Sequence, residues 1–125
     1  MAKETTDEIW LGTDLTRAYH NKNEAEDTSI EITGWTLGWM VKRYKSDADA
    51  DAILTKTTTG GAIVIAGAFN ATPANNAQRA TLTLEDSDTA SLYPGLYYWE
   101  LKRTDAGFET VLGYGQMTFI QGVHR

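Results

Sequence analysis

Three carboxylates alternate in one short segment: Asp47, Asp49 and Asp51. Oxygen ligands at every second position can converge on calcium, which takes several of them at once. A calcium loop counted from Asp47 also needs glycine at its sixth position and glutamate at its twelfth, where Ala52 and Thr58 stand. The segment is read first as a solvated acidic loop, with calcium as a weak candidate. Nucleophilic catalysis needs a hydroxyl beside a base. Ser29, Ser46, Ser87 and Ser91 lie in no G-x-S-x-G elbow. The two histidines are His20, in the polar stretch Tyr19 to Asp27, and His124, next to the last residue. Both read as ordinary surface histidines. No phosphate-binding loop is present, because Gly113-Tyr114-Gly115 falls inside a strand pattern and precedes no helix. Asn70-Ala71-Thr72 matches the glycosylation triplet without a secretory signal to give it meaning. No catalytic residue and no cofactor is assigned, and the expectation is a chain that is not an enzyme.

The aromatics carry the stronger signal. There are four Trp and six Tyr. Trp35, Trp39, Tyr97 and Trp99 fall on the apolar faces of their strands, so the expectation for them is core packing. Trp10, Tyr93, Tyr98 and Tyr114 fall on or near the opposite face. Exposed aromatics fill protein interfaces or stack on sugar rings, and an interface is the commoner use. Trp10, Tyr19, Tyr98 and Tyr114 are the interface candidates.

Composition narrows the classes. The 125 residues fit one domain with a real core. The absence of cysteine excludes a disulfide scaffold, a zinc ribbon and a thiol nucleophile. A net charge of −6 argues against nucleic acid or an anionic membrane surface as the partner. No apolar run approaches the roughly 20 residues of a membrane span.

The elements that must position these residues are strands. Trp35, Leu37, Trp39 and Val41 alternate with Thr36, Gly38, Met40 and Lys42. A two-residue period with one large apolar face is a half-buried strand. Tyr97, Trp99 and Leu101 repeat it against Tyr98, Glu100 and Lys102, and Leu82 and Leu84 repeat it against Thr81, Thr83 and Glu85. Ile30 and Ile32 flank Glu31, and Ile9 and Leu11 flank Trp10. Residues 62–66 (AIVIA) form a continuous apolar run and read as a central strand. A last strand spans 109–120, interrupted at Gly113 and Gly115 as by a bulge. Asp105-Ala106-Gly107 joins strands 95–104 and 108–120 as a hairpin. Residues 86–92 offer one short helical turn before Pro94, and residues 70–79 read as a polar loop.

The fold expected is all-β: an immunoglobulin-like antiparallel β-sandwich of about 7–9 short strands with one short helical turn. A small closed barrel is the runner-up. Residues 1–27 form an N-terminal arm and first strands with a polar insert, and residues 28–125 form the sandwich body, in a single domain overall. The core expected is Trp35, Leu37, Trp39, Val41, Leu82, Leu84, Tyr97, Trp99 and Leu101.

Several of these segments together resemble a small domain that recurs in tailed-bacteriophage virion proteins. The N-terminal domain of lactococcal-type baseplate upper proteins is an example. The likeness covers residues 28–123. It lies in Ile32-Thr33-Gly34-Trp35 leading into Leu37, Trp39, Val41, Lys42 and Arg43, and in Ala80-Thr81-Leu82-Thr83-Leu84. It continues through Ser87-Asp88-Thr89-Ala90-Ser91-Leu92-Tyr93-Pro94-Gly95-Leu96-Tyr97-Tyr98-Trp99-Glu100-Leu101, and closes on Thr110, Gly113 and Met117 to Ile120. The N-terminus departs from the pattern, its nearest match being Leu11-Gly12-Thr13-Asp14. The resemblance implies a non-enzymatic virion structural protein: a capsid decoration (cement) protein, or a tail, neck or baseplate accessory subunit. Its implied partners are other virion proteins and copies of itself, in a homo-oligomer such as a trimer, with neither nucleic acid nor membrane. A carbohydrate-binding β-sandwich module is the alternative.

Overall fold

A computed structural model describes residues 4–23 and 26–122. Its strands are β1 (Glu4–Trp10), β2 (Leu15–Tyr19), β3 (Lys22–Asn23), β4 (Thr28–Ser29) and β5 (Leu37–Lys42), then β6 (Leu54–Thr57), β7 (Ile63–Ala66), β8 (Arg79–Leu84), β9 (Gly95–Arg103) and β10 (Thr110–Ile120). One helical turn, α1 (Asp86–Thr89), joins β8 to β9. Ten strands replace the expected 7–9, in part because the polar insert folds into the short β3–β4 ribbon.

The strands form two packed sheets, as all-β sandwiches require. One runs β1-β10-β9-β5-β6 and the other β2-β8-β7. This is the immunoglobulin-like arrangement: one sheet has the C, F and G strands at its centre and the other has B, E and D. The pairing is antiparallel except at β1, which runs parallel to β10 from Glu4 opposite Tyr114 to Trp10 opposite Ile120. The sheet is therefore mixed. Gly115 makes the approach possible, since a Cβ there would collide with the Thr5 carbonyl of β1. Residues 4–19 thus supply an edge strand to each sheet. The apolar run at 62–66 is an edge as well: β8, with partners on both sides, is the central strand of its sheet.

Strand alternation builds the core. Leu37, Trp39 and Val41 of β5, Ala80, Leu82 and Leu84 of β8, and Tyr97, Trp99 and Leu101 of β9 are buried. Met117 and Phe119 join from β10, and Ile9 from β1. Tyr97 also donates its hydroxyl to the Tyr93 carbonyl at 2.9 Å, fixing the turn that enters β9. A tyrosine in this position, bonded back a few residues upstream, is a hallmark of the fold. In antibody domains a cysteine stands two residues further on and is bonded to the opposite sheet. Here that residue is Trp99, whose ring lies 5.4 Å from that of Tyr19 on β2.

Two ion pairs close the sides of the sandwich. Arg17 of β2 reaches Asp7 of β1 through two nitrogens, at 2.9 and 3.2 Å, and also bonds the Glu8 carbonyl. Lys56 of β6 reaches Asp88 of α1 at 2.6 Å. Burial opposes ionisation of Asp88, but its bonds to Lys56 and to the Glu85 amide outweigh it and hold the carboxyl below its usual value.

Two expectations need correction. Trp35 is half-buried and precedes β5 instead of continuing it. Gly34 turns the chain with φ 78°, and the Thr36 amide is tied to Asp105. Arg103 then lies 4.3 Å over the Trp35 ring and 4.9 Å from Phe108. The 70–79 segment is not simply a solvated loop, because Asn76 and Gln78 are buried. The Gln78 carboxamide accepts from the Ile32 amide at 3.0 Å and donates to Thr33 Oγ1 at 2.8 Å. Buried polar groups of this kind stay only where they are bonded.

Candidate functional site

Alternation that sends Tyr97 and Trp99 inward sends Leu96, Tyr98 and Glu100 to the outer face of the five-stranded sheet. The register then fixes their neighbours. Tyr98 stands opposite Gln116 and Lys42, while Glu100 stands opposite Tyr114 and Met40. Tyr98 and Tyr114 are thus diagonal neighbours on adjacent strands, within reach of each other's side chains. They line one shallow cavity of about 220 Å³ with Met40, Lys42, Lys45 and Glu100. A second cavity of about 250 Å³ shares Met40 and Glu100 and extends to Asp49, Lys102 and Glu109. Each is smaller than the ~300–1,000 Å³ of a typical small-molecule pocket.

Towards the other end of the same face, Trp10 pairs with Ile120, and Leu96 pairs with Thr118. Trp10 is 53% exposed, Leu96 50% and Tyr114 37%. Trp10, Ile120, Leu96, Tyr98, Tyr114 and Met40 make a continuous diagonal band across four strands. Three of the four interface candidates therefore share one face. Leu96, Ile120 and Met40 join them on this face, each alternating with a core residue on its strand.

The cations beside this band are held in place. Lys42 donates to Asp49 Oδ1 at 2.7 Å and to the Asp47 carbonyl at 2.9 Å. Lys45 places its ammonium 5.3 Å from the centre of the Tyr98 ring. The bond from Lys42 lowers the Asp49 carboxyl pKa.

Tyr19, the fourth interface candidate, faces inward instead. Its hydroxyl accepts the Trp39 indole N–H at 3.1 Å, and its ring lies against Trp99. Burial raises its pKa to about 12. The strand LTRAY hides this orientation, because Arg17 interrupts the apolar face and finds its charge partner, Asp7, on another strand across the sandwich.

The remaining candidates do not converge. Asp49 is committed to Lys42, Asp47 accepts from the Tyr44 amide, and Asp51 is exposed. Among the described residues no three His, Cys, Asp or Glu side chains form a group able to hold a metal. His20 Nε2 lies 3.4 Å from the buried Ser29 Oγ. Burial lowers the His20 pKa, and Arg79 and Lys22 lower it further. His124 lies outside the described residues. Among those residues, no helix is long and apolar enough to cross a membrane. No family model matches the chain, and no curated protein matches it.

Proposed function

We propose that this chain is a non-enzymatic structural subunit that works by adhesion, with the outer face of its five-stranded sheet as the contact surface. One observation carries the reading: the apolar band from Trp10 through Leu96 and Tyr98 to Tyr114 and Met40. Exposed apolar patches rimmed by charge mark interaction sites, and Tyr and Trp are the residues enriched there. The band is built on the strands of a packed sandwich, so its geometry is set before a partner arrives, which lowers the entropic cost of association. The sequence motifs at residues 28–123 support a tailed-phage virion as the setting. The subunit would there serve as a capsid decoration protein or as a tail, neck or baseplate accessory.

The carbohydrate alternative has one observation in its favour, the shared cavity between Tyr98 and Tyr114. The tryptophans speak against it. Trp39 and Trp99 serve the core, and Trp35 lies under Arg103. Trp10 stands six residues along the ladder from the Tyr114 row, roughly 20 Å away. The test is binding of an oligosaccharide panel to the full chain, beside immuno-electron microscopy of phage particles. Regular labelling of particles and no glycan binding are expected. Glycan binding lost in Tyr98→Ala and Tyr114→Ala, with no label on particles, would overturn the reading.

A further inference from the structure

We infer that β7, the free edge of the three-stranded sheet, pairs antiparallel with β7 of a second copy about a two-fold axis through Val64. This edge belongs to the sheet opposite the adhesive face, and the inference does not rest on that face. The two sheets have four edge strands, β1, β6, β2 and β7. β1 carries Asp7 and Glu8, β2 carries Arg17 and β6 carries Lys56, whereas β7 reads IVIA. Charge on an edge strand deters pairing with another chain, and an uncharged apolar edge invites it. The flanking chain is equally bare. No Asp, Glu, Lys, Arg or His occurs from residue 57 to residue 78, in a chain that is 22% charged.

The β7–β8 ladder fixes which groups are free. The Ala62 carbonyl accepts from the Thr83 amide at 2.9 Å, and the Ala68 carbonyl accepts from the Ala77 amide at 3.0 Å. Both bonds lie on the register that pairs Val64 with Thr81. Hydrogen-bonded rungs of an antiparallel pair recur at every second residue. Ala62, Val64 and Ala66 therefore bond to β8. The N–H and C=O of Ile63 and Ile65 point away from it, to the side where β7 has no neighbouring strand among the described residues. These four free groups are symmetric about Val64. A two-fold axis there sets Ile63 opposite Ile65 of the copy, twice, for four main-chain hydrogen bonds. Val64, 55% exposed, meets its counterpart at the rung between them, with Cα atoms about 4.5 Å apart.

The sequence commits this edge to a copy of itself. Residues 61–67 run Gly-Ala-Ile-Val-Ile-Ala-Gly, the same in both directions about Val64. Antiparallel pairing about that centre sets Val on Val, Ile on Ile and Ala on Ala, and β-branched cross-strand pairs hold a register. A neutral edge also spares a chain of net charge −6 the repulsion its copies meet elsewhere. The product is one six-stranded sheet in which β7 becomes central, the position that a continuous apolar run suits. The contact is isologous and short, so the dimer is weak and concentration-dependent.

Sedimentation and amide exchange of the full chain from micromolar to millimolar concentration test the inference. A reversible dimer is expected, with the Ile63 and Ile65 amides exchanging more slowly as concentration rises. Val64→Lys sets two ammonium groups on one rung and should weaken the dimer roughly 30-fold or more. Val64 faces solvent, so the thermal midpoint of the dilute monomer should not change. Because the chain has no cysteine, Val64→Cys should form a covalent dimer on mild oxidation, its Cα separation lying within disulfide range. Exposed Thr83→Cys should not, since β8 stands three strand spacings, about 14 Å, from its copy. A chain that stays monomeric at millimolar concentration overturns the inference, whether or not an extended peptide of another protein binds the edge. So does a dimer that survives Val64→Lys undiminished, or one in which exchange at Ile63 and Ile65 ignores concentration.

Discussion

The indole N–H of Trp39, on β5, donates to the hydroxyl of Tyr19, on β2, at 3.1 Å, so one hydrogen bond spans the two sheets. Tyr19 also lies against Trp99, at 5.4 Å between ring centres. Trp39, Tyr19 and Trp99 therefore form an inter-sheet bridge in the place where antibody domains carry a disulfide. In a chain with no cysteine, ring packing and the Trp39–Tyr19 hydrogen bond take the disulfide's place at this point of the sandwich.

Tyr19→Phe should isolate the Trp39 N–H in the core. The lost bond and the stranded donor cost about 1–3 kcal/mol, readable as a lower urea midpoint with an unchanged slope. Burial raises the Tyr19 hydroxyl to about 12. The neutral phenol is the form the fold accepts, so this stability is intact below about pH 10 and is lost as pH rises from 10 towards 12. Wild type should lose stability across that alkaline window, and Tyr19→Phe should lose less. Equal alkaline sensitivity in the two proteins would refute the role given to Tyr19.

Trp99→Ala should cost about 3–5 kcal/mol by emptying a core site beneath β10. Trp39 and Trp99 differ in one respect. The Trp39 N–H is bonded, whereas the Trp99 N–H has no partner among the described residues. Trp39→Phe should therefore be the more damaging of the two phenylalanine variants by roughly 1 kcal/mol, one hydrogen bond. Chemical denaturation of the pair measures the difference directly, and a reversed order would contradict the assignment.

Much of the sandwich is legible in the sequence because β5, β8 and β9 alternate large apolar residues with small or polar ones. Leu37, Trp39, Val41, Leu82, Leu84, Tyr97, Trp99 and Leu101 all end in the core on that signal alone. Trp35 keeps the period but loses the strand, because Gly34 and the bond from Thr36 to Asp105 redirect the chain one residue too early. Tyr19 is obscured by Arg17, an inward cation whose partner Asp7 comes from another strand. Residues 62–66 read as central since apolar runs usually are, yet sheet order depends on pairings that no local pattern contains. The candidate face divides in the same way. Tyr98 and Tyr114 each read as outward-facing, but their meeting in one cavity depends on the β9–β10 register, which shifts between Val111 and Gly113.

Gly115→Ala tests the parallel edge. A Cβ at this position collides with the Thr5 carbonyl, so β1 must move off β10. Backbone cannot yield as a flexible side chain does, and overpacking of this kind costs about 1–3 kcal/mol. Amide exchange should accelerate over residues 4–10 while β9 stays protected. Because Trp10 rides on β1, the variant should also weaken any contact made by the outer face. Unaltered exchange in β1 would show that the strand tolerates the methyl group.

Asp105 governs the hairpin end of the molecule. Its Oδ2 accepts from Arg103 Nε at 2.8 Å and from the Thr36 amide at 3.0 Å. The Arg103 bond first, and then the Thr36 bond, lowers its pKa to about 2. The carboxylate is the form that holds Arg103 over Trp35 and fixes the chain ahead of β5. A depressed folded pKa means that this stability is present above the ordinary carboxylate value near 3.8 and disappears as pH falls towards 2. Acid titration followed by Trp35 fluorescence should therefore show a transition in that window, before the β9–β10 ladder itself opens. Asp105→Asn keeps the shape of the side chain but removes its charge, so it should abolish the transition and lower the thermal midpoint at neutral pH. If wild type and Asp105→Asn instead titrate alike between pH 2 and pH 4, the acid response belongs to other carboxylates, and Asp105 does not anchor the hairpin electrostatically.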